Sequence, residues 1–228
     1  MRIAIVENTQ VTHHGQVGVA LHEAAAVIDL YRPFTDGLLP APGSYDGLLV
    51  FGGEQSALDD QIHPYLPRLA NLMAESAARG TAVLGVCLGA QLFARGLGAE
   101  NRIGIAPEFG WTGVSRLAPD PVLDQVPEAF PIFQWHSDTF TLPQGAQHLA
   151  RSDMAEVQAF RYGRAGYATQ FHFEASRAVA RDWLKRFPEV IERMAPGFAA
   201  THAQAEAAHG QAADDHGLAL ARAWVGLI

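Results

Sequence analysis

The sequence predicts an α/β protein in which an open, mostly parallel sheet is flanked by helices and joined by a smaller antiparallel section. Three observations lead there. Short apolar runs alternate with helix-length segments from Met1 to Gly98, the pattern of a parallel sheet covered on both faces. Between Ile103 and Thr141 the chain turns rich in Pro and Gly, with short alternating pieces in place of helices. Finally, 228 residues with 49% hydrophobic and 18% charged side chains suit a globular chain with a sizeable core, not a disordered one.

Taken in order, Ile3–Val6, Ala26–Leu30 and Leu48–Phe51 are the first three strands. Val17–Ala26 reads as a helix that turns Val19, Ala20 and Leu21 onto the sheet. Pro33, Pro40, Pro42 and Gly43 mark a loop before the third strand, and a helical pattern runs from about Pro64 to Ala78. Thr81–Val86 is a buried strand, and Leu88–Gly98 carries apolar residues at helical spacing. Thr112–Leu117 and Ile132–Trp135 are the short alternating pieces. Glu156–Arg161 and Tyr167–Phe173 read as strands joined by a turn at Gly163–Gly166. Arg177–Phe187 is an amphipathic helix that Ser176 caps, with Val179, Ala180, Trp183, Leu184 and Phe187 on one face.

The tail, Ala195–Ile228, holds two helices, the second with Leu218, Ala221, Val225 and Ile228 on one side. His202, His209 and His216 recur every seven residues, but Gly210 and Gly217 are expected to interrupt the helix, so a solvated surface is the reading adopted over a metal site. No linker divides the chain. Residues 1–228 are expected to form one domain, with 195–228 a helical C-terminal extension.

A net charge of −8 disfavours a nucleic-acid-binding surface. One cysteine forms no internal disulfide. The first strand offers too few apolar residues for a signal-peptide core, and no run of ~18 apolar residues suggests a membrane span, so a cytoplasmic protein is expected.

That cysteine sits in Gly85-Val86-Cys87-Leu88-Gly89, between a strand and a helix. This is the nucleophile-elbow pattern with cysteine in place of serine, the two glycines removing Cβ atoms that collide in so sharp a turn. A helix N-terminus beside the sulfur favours thiolate. A small core residue is the competing fate of a lone cysteine. In Gln170-Phe171-His172-Phe173-Glu174 the polar residues alternate with phenylalanines, so on a strand His172 and Glu174 share a face, as a base and its orienting carboxylate. A solvated strand end is the alternative. Gly52-Gly53 after the third strand lets backbone N–H groups approach an oxyanion, with Leu88 N–H as second donor, although a plain turn fits as well.

Together with Gln91 and Gln134-Trp135-His136-Ser137-Asp138, these segments resemble the class I glutamine amidotransferase family, in its order and spacing from Met1 to about Phe187. The resemblance is nearest to the branch of the GMP synthase glutaminase domain. It implies a flavodoxin-like sheet, Cys87 as nucleophile forming a γ-glutamyl thioester, His172 as general base and acid, and Glu174 as its orienter. It further implies an oxyanion hole of Gly53 and Leu88, and substrate contacts from Gly52, Gln91, His136, Ser137 and Asp138. Of these, His136 is expected mainly to support its loop. Glu108-Phe109-Gly110-Trp111 also resembles a family loop, of unassigned role. Two positions depart from the family pattern, Phe173 and Glu54 standing where many members have proline; the second bears on the oxyanion loop.

The implied activity is hydrolysis of the glutamine side-chain amide, with ammonia passed to an acceptor. No cofactor or metal is implied. A separate synthetase subunit is expected, because the chain has no nucleotide-binding glycine-rich loop of its own. The alternatives are a γ-glutamyl peptidase or hydrolase with the same triad, and a non-catalytic binding protein on this fold.

Overall fold

The computed structural model describes residues Met1–Ile228. Its main sheet has nine strands: β1 (Arg2–Val6), β2 (Val27–Tyr31), β3 (Gly47–Val50), β4 (Ala82–Val86), β6 (Glu108–Arg116), β7 (Ala129–His136), β9 (Gln147–Arg151), β10 (Ala159–Tyr162) and β11 (Gly166–Thr169). Two short strands, β5 (Asn101–Arg102) and β8 (Thr139–Phe140), pair separately. The order across the main sheet is β2-β1-β3-β4-β11-β10-β9-β6-β7. The first five are mutually parallel in a flavodoxin-like arrangement, and the rest continue antiparallel. The antiparallel section thus extends the same sheet.

Alternation along the parallel strands supplies two cores. Ile3, Ile5, Leu49, Leu84 and Val86 face one side, and Ala4, Val6, Leu48, Val50 and Val83 the other. Helices α3 (Leu66–Ala78) and α4 (Leu88–Gly96) cover the second face. The first is covered by α1 (Gly15–Glu23) and by the C-terminal helix α8 (Gln211–Val225), whose Leu220, Ala221, Trp224 and Val225 are buried there. The remaining helices are α2 (Pro33–Asp36), α5 (Arg177–Arg186), α6 (Pro188–Met194) and α7 (Phe198–Ala205). Ser176 caps α5, its side chain accepting from Val179 N–H.

The structure corrects several local expectations. Val19 is 43% exposed, and Val17 takes the inward position in α1 beside Ala20 and Leu21. The loop after β2 contains the short helix α2, opened by Pro33. Gly210 and Gly217 do not break the tail. A π-turn at Glu206–Gly210 joins α7 to α8, and Gly217 lies inside α8, where a Cβ would come within 2.1 Å of Phe173 O. The glycine marks close packing of helix on loop, not a helix end. His202 is not solvated either: its side chain is mostly buried, against Trp111 and Phe198. Leu218 is partly exposed and the buried stripe of α8 runs through Gly217, Leu220 and Trp224. No helix is long and apolar enough to cross a membrane.

The glycines flanking the cysteine are required sterically. A Cβ on Gly85 would lie 2.4 Å from Gly89 O, and one on Gly89 would lie 2.0 Å from Val50 O. Backbone on both sides has no room to yield. Gly89→Ala should therefore cost about 3 kcal/mol or more in chemical denaturation. Gly113→Ala, where nothing lies within 4 Å, should change stability by no more than about 0.5 kcal/mol. Equal stability of the two variants would contradict the close packing of α4 on β3.

Candidate active site

The site lies at the C-terminal ends of β1, β3, β4 and β11, where open α/β sheets leave a crevice. Cys87 follows β4 directly and adopts φ +53°, ψ −109°, one of two non-glycine residues with positive φ. Its N–H donates to Thr169 O at 2.8 Å on the neighbouring strand, and its carbonyl accepts from Gln91 N–H in α4. The backbone is held in a sparsely populated conformation from both sides, as at a strained functional turn. The residue is 7% exposed, and Sγ lies 3.6 Å from Trp135 O. Leu88 begins α4, so the sulfur stands at a helix N-terminus whose dipole favours negative charge.

His172 and Glu174 come together by a route the alternation does not foresee. The expected strand Tyr167–Phe173 ends at Thr169. Beyond it the chain makes a single antiparallel bridge, His172 N–H donating to Phe133 O at 2.8 Å, and then turns. The turn, not a pleat, brings Glu174 Oε1 to 2.6 Å from His172 Nδ1, with both side chains buried. Phe171 and Phe173 are packed in the core as expected. The N-terminus of α1 fixes the far side: Gln16 N–H donates to Glu174 O at 3.0 Å, and a Cβ on Gly15 would sit 1.8 Å from that oxygen.

With Nδ1 turned to the carboxylate, Nε2 is left toward Cys87 and has no hydrogen-bond partner among the buried groups. The imidazole and the thiol flank Gly52, where an added Cβ would be 3.4 Å from both His172 Cε1 and Cys87 Cβ. Burial opposes protonation of His172. The charges of Glu174 and Cys87 outweigh it and hold the imidazole pKa well above its ordinary value. This electrostatic balance favours an imidazolium beside the sulfur.

Gly53 lies against Leu88, whose Cδ2 would be 3.0 Å from a Cβ on the glycine, and neither residue's N–H is used by a backbone carbonyl. The loop carrying Gly53 is anchored by Asn8 and Gln55, two side chains that no sequence motif singles out. Asn8 is wholly buried and donates to Phe51 O at 2.8 Å; Gln55 donates to Asn8 O at 2.6 Å. Glu54 stands exposed at the place of the family's proline, and the Asn8 and Gln55 amides hold the loop.

All ten residues expected at the site line one cavity of about 600 Å³: Cys87, His172, Glu174, Gly52, Gly53, Leu88, Gln91, His136, Ser137 and Asp138. Gln91 directs its amide NH₂ to Gln170 Oε1 (3.3 Å) and Asp138 O (3.5 Å). Asp138 accepts from Gly104 N–H and Ser137 Oγ. His136 joins this turn to the interior, Nδ1 lying 3.1 Å from Asp138 O and Nε2 3.2 Å from Glu108 Oε2. Glu108 also accepts from Ser152 Oγ at 2.8 Å and Gln158 Nε2 at 2.6 Å, all buried. The unassigned Glu108–Trp111 segment is therefore β-strand, and its carboxylate supports His136 from below.

The cavity wall bears Glu54, Asp59 and Asp138 but no lysine or arginine, a balance that suits a ligand with an ammonium group. Its apolar side is made by Trp135, Trp183, Phe187, Val190 and Met194, of which only Trp135 falls in a motif of the sequence. No local pattern separates such a wall from ordinary packing.

Fold and site together define an α/β protein with a cysteine elbow at the crevice of a flavodoxin-like sheet. A family model described as Glutamine amidotransferase class-I matches residues 14–188. A glutamine-hydrolyzing GMP synthase subunit from Methanoregula boonei is 29% identical over 174 residues, 74% of this chain and 89% of that protein. Its counterpart from Methanosarcina acetivorans is 27% identical over 203 residues, 85% and 98% of the two chains. Among solved structures, a glutamine amidotransferase from Thermotoga maritima superposes with a TM-score of 0.85 at 25% identity, covering 98% of this chain and 97% of that one. One from Methylobacillus flagellatus gives 0.84 at 25% identity, over 100% and 95%. The chain belongs to the class I glutamine amidotransferase family.

Proposed function

We propose that this protein is a glutaminase that releases ammonia for an acceptor, through a γ-glutamyl thioester on Cys87. The observation that carries the reading is the convergence of Cys87, the His172–Glu174 pair and two free N–H donors on one cavity. The Cys87 thiolate attacks the side-chain amide carbon of glutamine, and the oxyanion is received by Gly53 and Leu88 N–H. Protonated His172 Nε2 gives its proton to the departing nitrogen, and ammonia leaves. Water then attacks the thioester with His172 as base, and glutamate is released. Throughout, Glu174 holds the imidazole tautomer and offsets its positive charge.

Gln91, Ser137 and Asp138 hold the amino-acid end, where acidic lining favours the substrate ammonium. His136 and Glu108 stiffen that turn. The relatives from Methanoregula and Methanosarcina are, by their name, one subunit of a glutamine-hydrolyzing synthase. On this ground the ammonia of the present chain goes to a separate synthetase subunit.

The test is direct. Purified protein should release ammonia from glutamine and become covalently labelled, once per chain at Cys87, by 6-diazo-5-oxonorleucine. Folded protein that neither turns over glutamine nor takes up label would refute the proposal.

A further inference from the structure

We propose that the same cavity also accepts γ-glutamyl amides whose amine half is apolar and aromatic, seated on Trp135, Trp183, Phe187, Val190 and Met194. This deepens the preceding reading and rests on its Cys87 acyl transfer.

Size is the first argument. Even at the loose ~30 Å³ per heavy atom of liquid water, the ten heavy atoms of glutamine fill about half of 600 Å³. The volume lies in the range of cavities that enclose much larger ligands, about 300–1,000 Å³.

Position is the second. His172 Nε2 must protonate the leaving nitrogen, so whatever that nitrogen carries extends on the imidazole side of the sulfur. The ring standing there is Trp183, 5.3 Å from His172 centroid to centroid and nearly perpendicular to it. Trp183 meets Trp135 at 5.1 Å, and Trp135 meets Phe187 at 5.5 Å, both edge-on. Val190 and Met194, one helical turn apart on α6, complete the wall. Ammonia needs no such surface.

Chemistry is the third. The cavity is also lined by Gln91, Ser137, Asp138, Glu54 and Asp59, polar groups that suit the glutamyl half. An apolar amine half would be met by edge-on aromatic contacts and desolvation. The step balances as before: the amide C–N bond breaks, the amine leaves with the His172 proton, and water cleaves the thioester to give glutamate.

The experiment compares γ-glutamyl-benzylamide, γ-glutamylglycine and glutamine on the purified chain. Benzylamine and ammonia are bases of similar strength, so the first and third differ mainly in what the wall contacts. kcat/KM for the benzylamide should exceed that for glutamine by about tenfold or more, the low end for a filled apolar pocket, with γ-glutamylglycine below the benzylamide. Val190→Asp should lower the benzylamide-to-glutamine ratio about tenfold, and Met194→Asp provides a second reading if that variant folds poorly. Benzylamide turnover no better than glutamine or γ-glutamylglycine, or ratios unmoved by folded variants, would overturn the inference. Labelling by 6-diazo-5-oxonorleucine separates the two failures. Label without benzylamide turnover refutes the inference alone; no label and no turnover of any substrate refutes the thioester reading as well.

Discussion

Exchange of Cys87 for alanine is expected to lower glutamine hydrolysis by about 10⁴-fold or more and to abolish covalent labelling by 6-diazo-5-oxonorleucine. The magnitude follows from removing the attacking atom itself, since no other cysteine exists in the chain. The fold should survive. Sγ has one long hydrogen bond to the backbone, to Trp135 O at 3.6 Å, and the smaller alanine introduces no clash at the elbow. Residual turnover within tenfold of the parent protein, at unchanged thermal stability, would place the nucleophile elsewhere. Serine at the same position is a sharper control, because it keeps the shape of the elbow and loses the acidity of the thiol.

Glu174→Gln is expected to lower kcat by about 10⁴-fold and also to move the pH profile. The sign follows from the groups around His172. Burial lowers its pKa, while Glu174 and Cys87 raise it beyond that penalty. Glutamine keeps the shape but removes the charge that contributes most to the rise. The imidazolium of the variant therefore loses its proton at lower pH, and the alkaline limb of kcat/KM moves toward acid. The rate of Cys87 alkylation by iodoacetamide gives an independent reading, because it follows the thiolate that the imidazolium stabilises. An alkaline limb that stays in place would show that Glu174 is not the partner of His172.

His172 and Glu174 show how far a sequence pattern reaches. Alternation in Gln170–Glu174 implies that the two side chains share a face, and they do meet. Yet β11 ends at Thr169, and the pairing is made by a bridge to Phe133 followed by a turn. A period of two is common to a strand and to an extended segment that leaves its sheet, so the pattern does not tell them apart. The heptad of histidines misleads for a related reason. Glycine in a sequence reads as a helix end, whereas Gly217 is the point where α8 needs no side chain against Phe173 O.

The sequence by itself determined the elbow at Cys87 and the alternation of strands and helices that puts it at a sheet crevice, while the family resemblance implied ten of the residues that line the cavity. These are local properties: a glycine spacing, a hydrophobic period, short motifs in a given order. Tertiary structure alone decided three other things. Asn8 and Gln55 lock the Gly53 loop across 47 residues of chain. Glu108, distant in sequence from Ser152 and Gln158, buries its carboxylate beneath His136. Trp183 packs against both His172 and Trp135, which come from separate elements. Each depends on contacts between segments far apart in the chain, where apolar residues that line a pocket obey the same pattern as those that fill a core.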